Sequence, residues 1–385
     1  MTSVPEQVTF HPRQAGLQIT PLAPAQIAAQ TRALEDLLQA HGLQDAVQTS
    51  HHVDGSKATL SIQLRPDSFS AWTPDHNTLE LHSRLQDRPS SSTGIVEQQI
   101  LVALLASPCG FAFPDTQALG SHIRIRRNIV LAARKTALAF KTEAAERPEQ
   151  FWRYDEEHGF TLKPGGCLIE ALIAATQPEA TGKLYDFSCY RATEYVILLG
   201  IAQELQTHHP ALFQQLQQTC EVHAIRSGQF HDVFLIEYGS MAQPLPARYY
   251  VPGDRLWFRN PDEHSSDVMG YEGSWVIYMG DGLFSNFWKR DAPYTLEAKC
   301  LEIFHWRDGV CTDAHGALQM DENVVEDRIR QTSADPEALK AVLNRMLRMR
   351  DPQGVYASGG CIDTTREYTK GVTAGHCELV LPVLN

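Results

Sequence analysis

The chain has 385 residues, enough for one large core or two smaller ones. Hydrophobic residues make up 43% and charged residues 21%, the balance of an ordinary globular protein rather than a disordered or membrane-embedded one. A net charge of −13 argues against nucleic acid or an anionic membrane surface as the main partner.

The N-terminus, MTSVPEQVTFHPRQ, lacks a positive start followed by an apolar run, so the default expectation is the cytoplasm, with export by a route without a cleaved signal left open. Ala23–His41 has helical apolar spacing and stops at Gly42, and Lys57–Leu64 alternates like a strand. The polar, breaker-rich stretch Arg88–Gly94 reads as a linker. Two helical segments follow, Ile95–Ala106 and about Leu119–Lys141, separated by a turn-rich stretch around Cys109-Gly110. The first is the most apolar run in the chain, yet it is too short for a membrane span and carries Glu97. Phe151–Leu162 reads as a hairpin turning at Glu157-His158-Gly159.

Tyr185–Gly200, YDFSCYRATEYVILLG, places Cys189 at the mouth of a helix that runs to about Gln206 and whose body is almost wholly apolar. Unpaired N–H groups and the positive end of the helix dipole favour a thiolate there, and Arg191 adds a positive charge. The competing reading is a small packed side chain.

Beyond it the chain turns strand-rich. Val233–Tyr238, Arg255–Arg259, Trp275–Met279, Leu283–Trp288 and Cys300–Trp306 are aromatic and β-branched runs punctuated by Gly and Pro. A helix over Pro336–Met349 and a strand over Glu378–Val383 close the chain. Helices first and strands after, without βαβ alternation, give an α+β fold, with a helix-borne cysteine packed on an antiparallel sheet in the papain-like manner. The expected organisation is a small α/β unit over residues 1–92, a core over 93–300 and a C-terminal extension over 301–385 that packs on the core.

The eight cysteines have no paired spacing and read as reduced thiols rather than a disulfide frame. Cys311, His315, Cys361, His376 and Cys377 include zinc-binding residue types, but no Cys-x2-Cys unit occurs and the gaps are irregular, so no metal is expected. No calcium loop pattern occurs, and no cofactor is expected. Pro252-Gly253-Asp254 and Asn260-Pro261 read as structural turns.

Several segments, in order, resemble the bacterial spore-coat type protein-glutamine γ-glutamyltransferases. They are Ile125–Ala133 (IRRNIVLAA), Phe151-Trp152-Arg153, Tyr185–Thr193, Gly253–Asp262 (GDRLWFRNPD) and the Gly273–Gly280 stretch, all within about residues 115–290. The resemblance implies a transglutaminase-like core and acyl transfer from protein glutamine side chains through a cysteine thioester, resolved by a lysine amine or by water. The implied partner is therefore a protein substrate. An ungapped alignment places Arg191 at the family's cysteine position, and a two-residue insertion places Cys189 there. Ser274 falls where the family has its catalytic Glu, with Glu272 two residues earlier, and Asn286 falls where the family has its His. The site residues implied are Cys189, Glu272 and Asn286. His231 and His264 are the histidines nearest the matched segments, both expected to be ordinary loop residues. The alternatives are a catalytically silent binding protein of the same fold, or a cysteine amidase or peptidase.

Overall fold

The structure is a computed structural model, and it describes residues 15–85, 92–140, 145–156, 159–224, 227–351 and 359–382. The linker residues 88–91, the hairpin tip Glu157-His158, Lys141 and Val383 lie outside the described residues.

Strand β1 (Leu17–Leu22), helix α1 (Ile27–Ala40) and strands β2 (Val47–Asp54) and β3 (Lys57–Leu64) open the chain. Helix α2 (Ser92–Leu105) leads to β4 (Phe111–Phe113), which completes a four-stranded sheet in the order β2-β3-β1-β4. Alternation along β3 is regular, with Ala58, Leu60, Ile62 and Leu64 buried. Those inward residues share one continuous apolar core with Ile129 and Val196 of the helices that follow.

Helix α3 (Thr116–Lys135) is capped by Asp115, whose carboxylate accepts the Ala118 N–H at 2.7 Å. It packs on α4 (Cys189–His208), which is buried on nearly every face. Gly200 makes that approach possible, since a Cβ there would lie 2.5 Å from Ile129 Cγ1.

The second sheet holds β5 (Leu235–Gly239), β6 (Arg255–Arg259), β7 (Gly273–Ile277) and β8 (Thr365–Thr369). Its order is β7-β6-β8-β5, antiparallel throughout. The arrangement is α+β, with the cysteine-bearing helix packed against the edge strand β7. On the sheet's other side lie α5 (Leu296–Gly309), α6 (Glu322–Ala334) and α7 (Pro336–Met346). There Leu256, Phe258 and Val276 meet Cys300, Leu301, Ile303 and Trp306 in a second apolar cluster.

Four strand expectations need correction. Leu283–Trp288 forms no strand, because Phe284 makes only isolated bridges to Tyr278 and Tyr294 and Asn286 is tied into its own loop. Cys300–Trp306 is helical, because Thr295 caps α5 by accepting the Ala298 N–H at 3.1 Å and the helix is buried between the sheet and α6. A short apolar run of this kind fits either element, and burial decides. Val233 and Phe234 end a helix rather than start β5. Residues 378–382 form no strand; Leu379 and Leu381 are held instead by packing on the core. Among the described residues, no helix is long and apolar enough to cross a membrane.

Candidate active site

Ser188 adopts extended backbone angles, φ −81° and ψ 157°, and its Oγ accepts the Arg191 N–H at 3.3 Å. That cap starts α4 at Cys189, so the thiol stands on the helix's first residue and not in its buried body. The half-buried Cys189 lines a cavity of about 240 Å³ together with Ser274 of β7, Asn286, and Lys299 and Glu302 of α5. Tyr271, Trp288, Tyr294 and Trp306 supply aromatic walls, and Glu322 at the start of α6 stands at the rim.

Burial pushes the Cys189 thiol up from its ordinary value. The Trp275 and Tyr190 backbone N–H groups and the Lys299 ammonium pull it down, while the Glu272 charge pushes it further up. The sequence expectation of a thiolate favoured by the helix start is corrected here: desolvation outweighs the local positive field.

Lys299 is almost fully buried yet well satisfied. Its ammonium donates to Glu302 Oε2 at 2.6 Å and lies 4.0 Å from the Tyr294 ring centroid. The Tyr294 hydroxyl donates to Glu302 Oε1 at 3.0 Å. The Tyr271 hydroxyl donates to Glu322, whose carboxyl is pushed up by burial, with the nearby Glu302 charge adding to the rise. The cavity therefore joins a thiol, the ammonium groups of Lys299 and Lys289 and the carboxyls of Glu302 and Glu322 within aromatic walls.

The residues singled out from sequence divide. Cys189 and Asn286 share the cavity wall, but the Asn286 amide is engaged in its own loop, donating to Ala292 O at 2.9 Å and accepting the Lys289 N–H at 3.1 Å. Glu272 is exposed just before β7, accepts the Gly270 N–H at 3.3 Å and is not among the cavity-lining residues. Arg191 turns away from the cavity to pair with Glu194 Oε2 at 2.9 Å. Burial pushes that fully enclosed carboxyl up to about 7 against the pull of Arg191. His231 pairs with Glu367 at 2.8 Å, away from the cavity lining, and His264 sits exposed in a short helix.

The two turns do structural work. Asp254 is fully buried and accepts from Arg126 at 2.8 Å, from the Tyr238 hydroxyl and from the Val251 N–H. Asn260 donates to Ser265 Oγ at 3.0 Å and to Tyr271 O at 2.8 Å. Among the described residues, no group of three or more His, Cys, Asp or Glu could hold a metal ion.

Sequence reasoning missed Lys299, Glu302 and Glu322. The available signal was Thr295 as a cap followed by Lys299 and Glu302 at i,i+3, a helical spacing hidden by the aromatic run that reads as a strand.

A family model described as protein-glutamine gamma-glutamyltransferase matches residues 77–367. A curated relative, the protein-glutamine gamma-glutamyltransferase of Halalkalibacterium halodurans, is 24% identical over 196 residues, covering 50% of this chain and 63% of that protein. The chain thus spans less than two thirds of that relative's length. Among solved structures, the transglutaminase from Geobacillus stearothermophilus without its C-terminal extension is similar at 23% identity and a TM-score of 0.40, covering 56% of this chain and 98% of that one.

Proposed function

The chain belongs to the protein-glutamine gamma-glutamyltransferase family, and on that premise we propose that it transfers the acyl group of a glutamine side chain through a thioester on Cys189. The observation that carries the reading is the placement of Cys189 on the first residue of α4, in one cavity with Lys299 and Glu302.

In this reading Cys189 Sγ attacks the glutamine carboxamide carbon, and Lys299 favours the thiolate that attacks. The Trp275 and Tyr190 backbone N–H groups, which favour the charged sulfur, are the donors that would stabilise an oxyanion formed beside it. Glu322, a carboxyl with raised proton affinity at the cavity rim, carries a proton to the departing ammonia. A lysine amine then resolves the thioester to an isopeptide bond, or water resolves it to glutamate. Asn286 acts by holding the 286–292 loop that forms one wall, and the Glu272 charge opposes thiolate formation rather than taking the thiol proton.

The test is ammonia release from a glutamine-containing protein, with and without an added primary amine. Incorporation of the amine identifies cross-linking chemistry; ammonia without incorporation identifies deamidation. Cys189→Ala abolishes both. A second reading, a fold that binds a partner without turnover, draws on Arg191 and Ser274 at the family's catalytic positions. It predicts no ammonia release and unchanged partner binding in Cys189→Ala.

A further inference from the structure

Outside the cavity, two buried thiols face each other across the second apolar cluster. Cys300 on α5 and Cys361 in the segment before β8 are both fully buried, and their sulfurs are 3.2 Å apart. The backbone fixes this meeting from both sides. The Cys361 N–H donates to Met346 O at 3.0 Å, and Cys361 O accepts the Arg259 N–H at 2.8 Å, so the residue is pinned between α7 and β6. Cys300 is held in the interior of a buried helix. Bringing the sulfurs to bonding distance, about 2.05 Å, needs a movement of only about 1 Å.

We infer that Cys300 and Cys361 form a disulfide when the chain folds under oxidising conditions, stapling α5 to the sheet. Two thiols give up two protons and two electrons to make one S–S bond, and a small-molecule disulfide such as oxidised glutathione takes them up as two thiols. The hydrogen bond to Cys361 and burial push the Cys300 thiol well up, so Cys300 offers little thiolate in the folded, reduced chain and the buried pair oxidises slowly. The bond therefore forms during folding, before the cluster closes. It spans 61 residues of chain, a long loop whose closure restricts the unfolded state. It also lies beside the cavity: Lys299 immediately precedes Cys300, and Glu302 and Trp306 follow on the same helix. The staple thus fixes the wall that carries Lys299, and it stands whether or not Cys189 is a nucleophile.

The full chain, refolded in a glutathione redox buffer, denatured, alkylated and digested with trypsin without reductant, gives a direct answer. The peptide of residues 300–307 is expected linked to that of residues 351–366, with a mass lower by two hydrogens than their sum. Recovery of both as separately alkylated peptides, or of either linked to another cysteine, overturns the inference. The oxidised chain should also melt a few degrees above its reduced form, a difference that Cys361→Ser removes. Should that variant fail to fold, the digest of the unaltered chain decides alone.

Discussion

Lys299 is the residue whose charge does most to make Cys189 usable, because burial otherwise holds the thiol protonated. Lys299→Met removes the cation and keeps most of the packing against Tyr294 and Trp306, so alkylation of Cys189 near neutral pH should slow by about tenfold. An unchanged alkylation rate would separate Lys299 from the thiol. Glu272→Gln acts in the opposite sense, removing a charge that pushes the thiol up, and should speed the same reaction. Glu194 gives a stability prediction. A carboxyl whose folded pKa lies above its unfolded value binds more protons folded than unfolded, so wild-type stability falls as pH rises from 4.5 through about 7. Across that window the loss is of order 3 kcal/mol. Glu194→Gln should flatten this contribution, read as urea midpoints at the two ends of the window; a slope equal to wild type would contradict it. The position of Cys189 at a helix start was legible from its neighbours, whereas the fates of Arg191 and Glu272 were not. Arg191 is drawn off by a buried carboxylate one turn away, and Glu272 falls in the turn before its strand.

The start of α4 is where a local sequence rule and the chemistry coincide. Ser188→Ala removes the cap on the Arg191 N–H and should destabilise the fold by about 1 kcal/mol. Activity should fall by more than that stability loss explains, since the first turn also positions the thiol; equal effects on stability and turnover at low temperature would contradict a positioning role. Farther along the helix, Gly200→Ala forces a methyl into Ile129 and should destabilise by about 1–3 kcal/mol, seen as a lowered urea midpoint. The cap, the apolar run and the strands Arg255–Arg259 and Gly273–Ile277 could be read from the chain because their patterns are local. Helix α5 could not, because its Cys-Leu-Glu-Ile-Phe-His-Trp run carries strand-favouring residues whose helical state is decided by burial between the sheet and α6. Lys299 and Glu302 of the cavity were hidden with it.

At the scale of the whole molecule, the core sheet is closed by a strand from far along the chain. β8 lies between β6 and β5, pairing Arg255 with Glu367 and Tyr238 with Arg366, and the Arg255 guanidinium also bonds the Glu367 carboxylate inside the core. Pairings separated by more than a hundred residues leave no local signature, which is why the sequence reads residues 301–385 as an addition rather than as a source of sheet. Ending the chain after Arg350 should abolish cooperative thermal unfolding followed by circular dichroism; a truncated chain with a wild-type transition would show β8 to be dispensable. The site is likewise built from distant segments, since Cys189 of α4, Ser274 of β7 and Lys299 of α5 line one cavity. The central claim is that Cys189 carries the acyl group. Incubating the protein with excess glutamine-containing peptide, quenching in acid and mapping the adduct by mass spectrometry tests it. The account predicts an acyl group on the tryptic peptide of residues 184–191, lost in Cys189→Ala; ammonia release with the adduct on another cysteine, or undiminished release from Cys189→Ala, would contradict it.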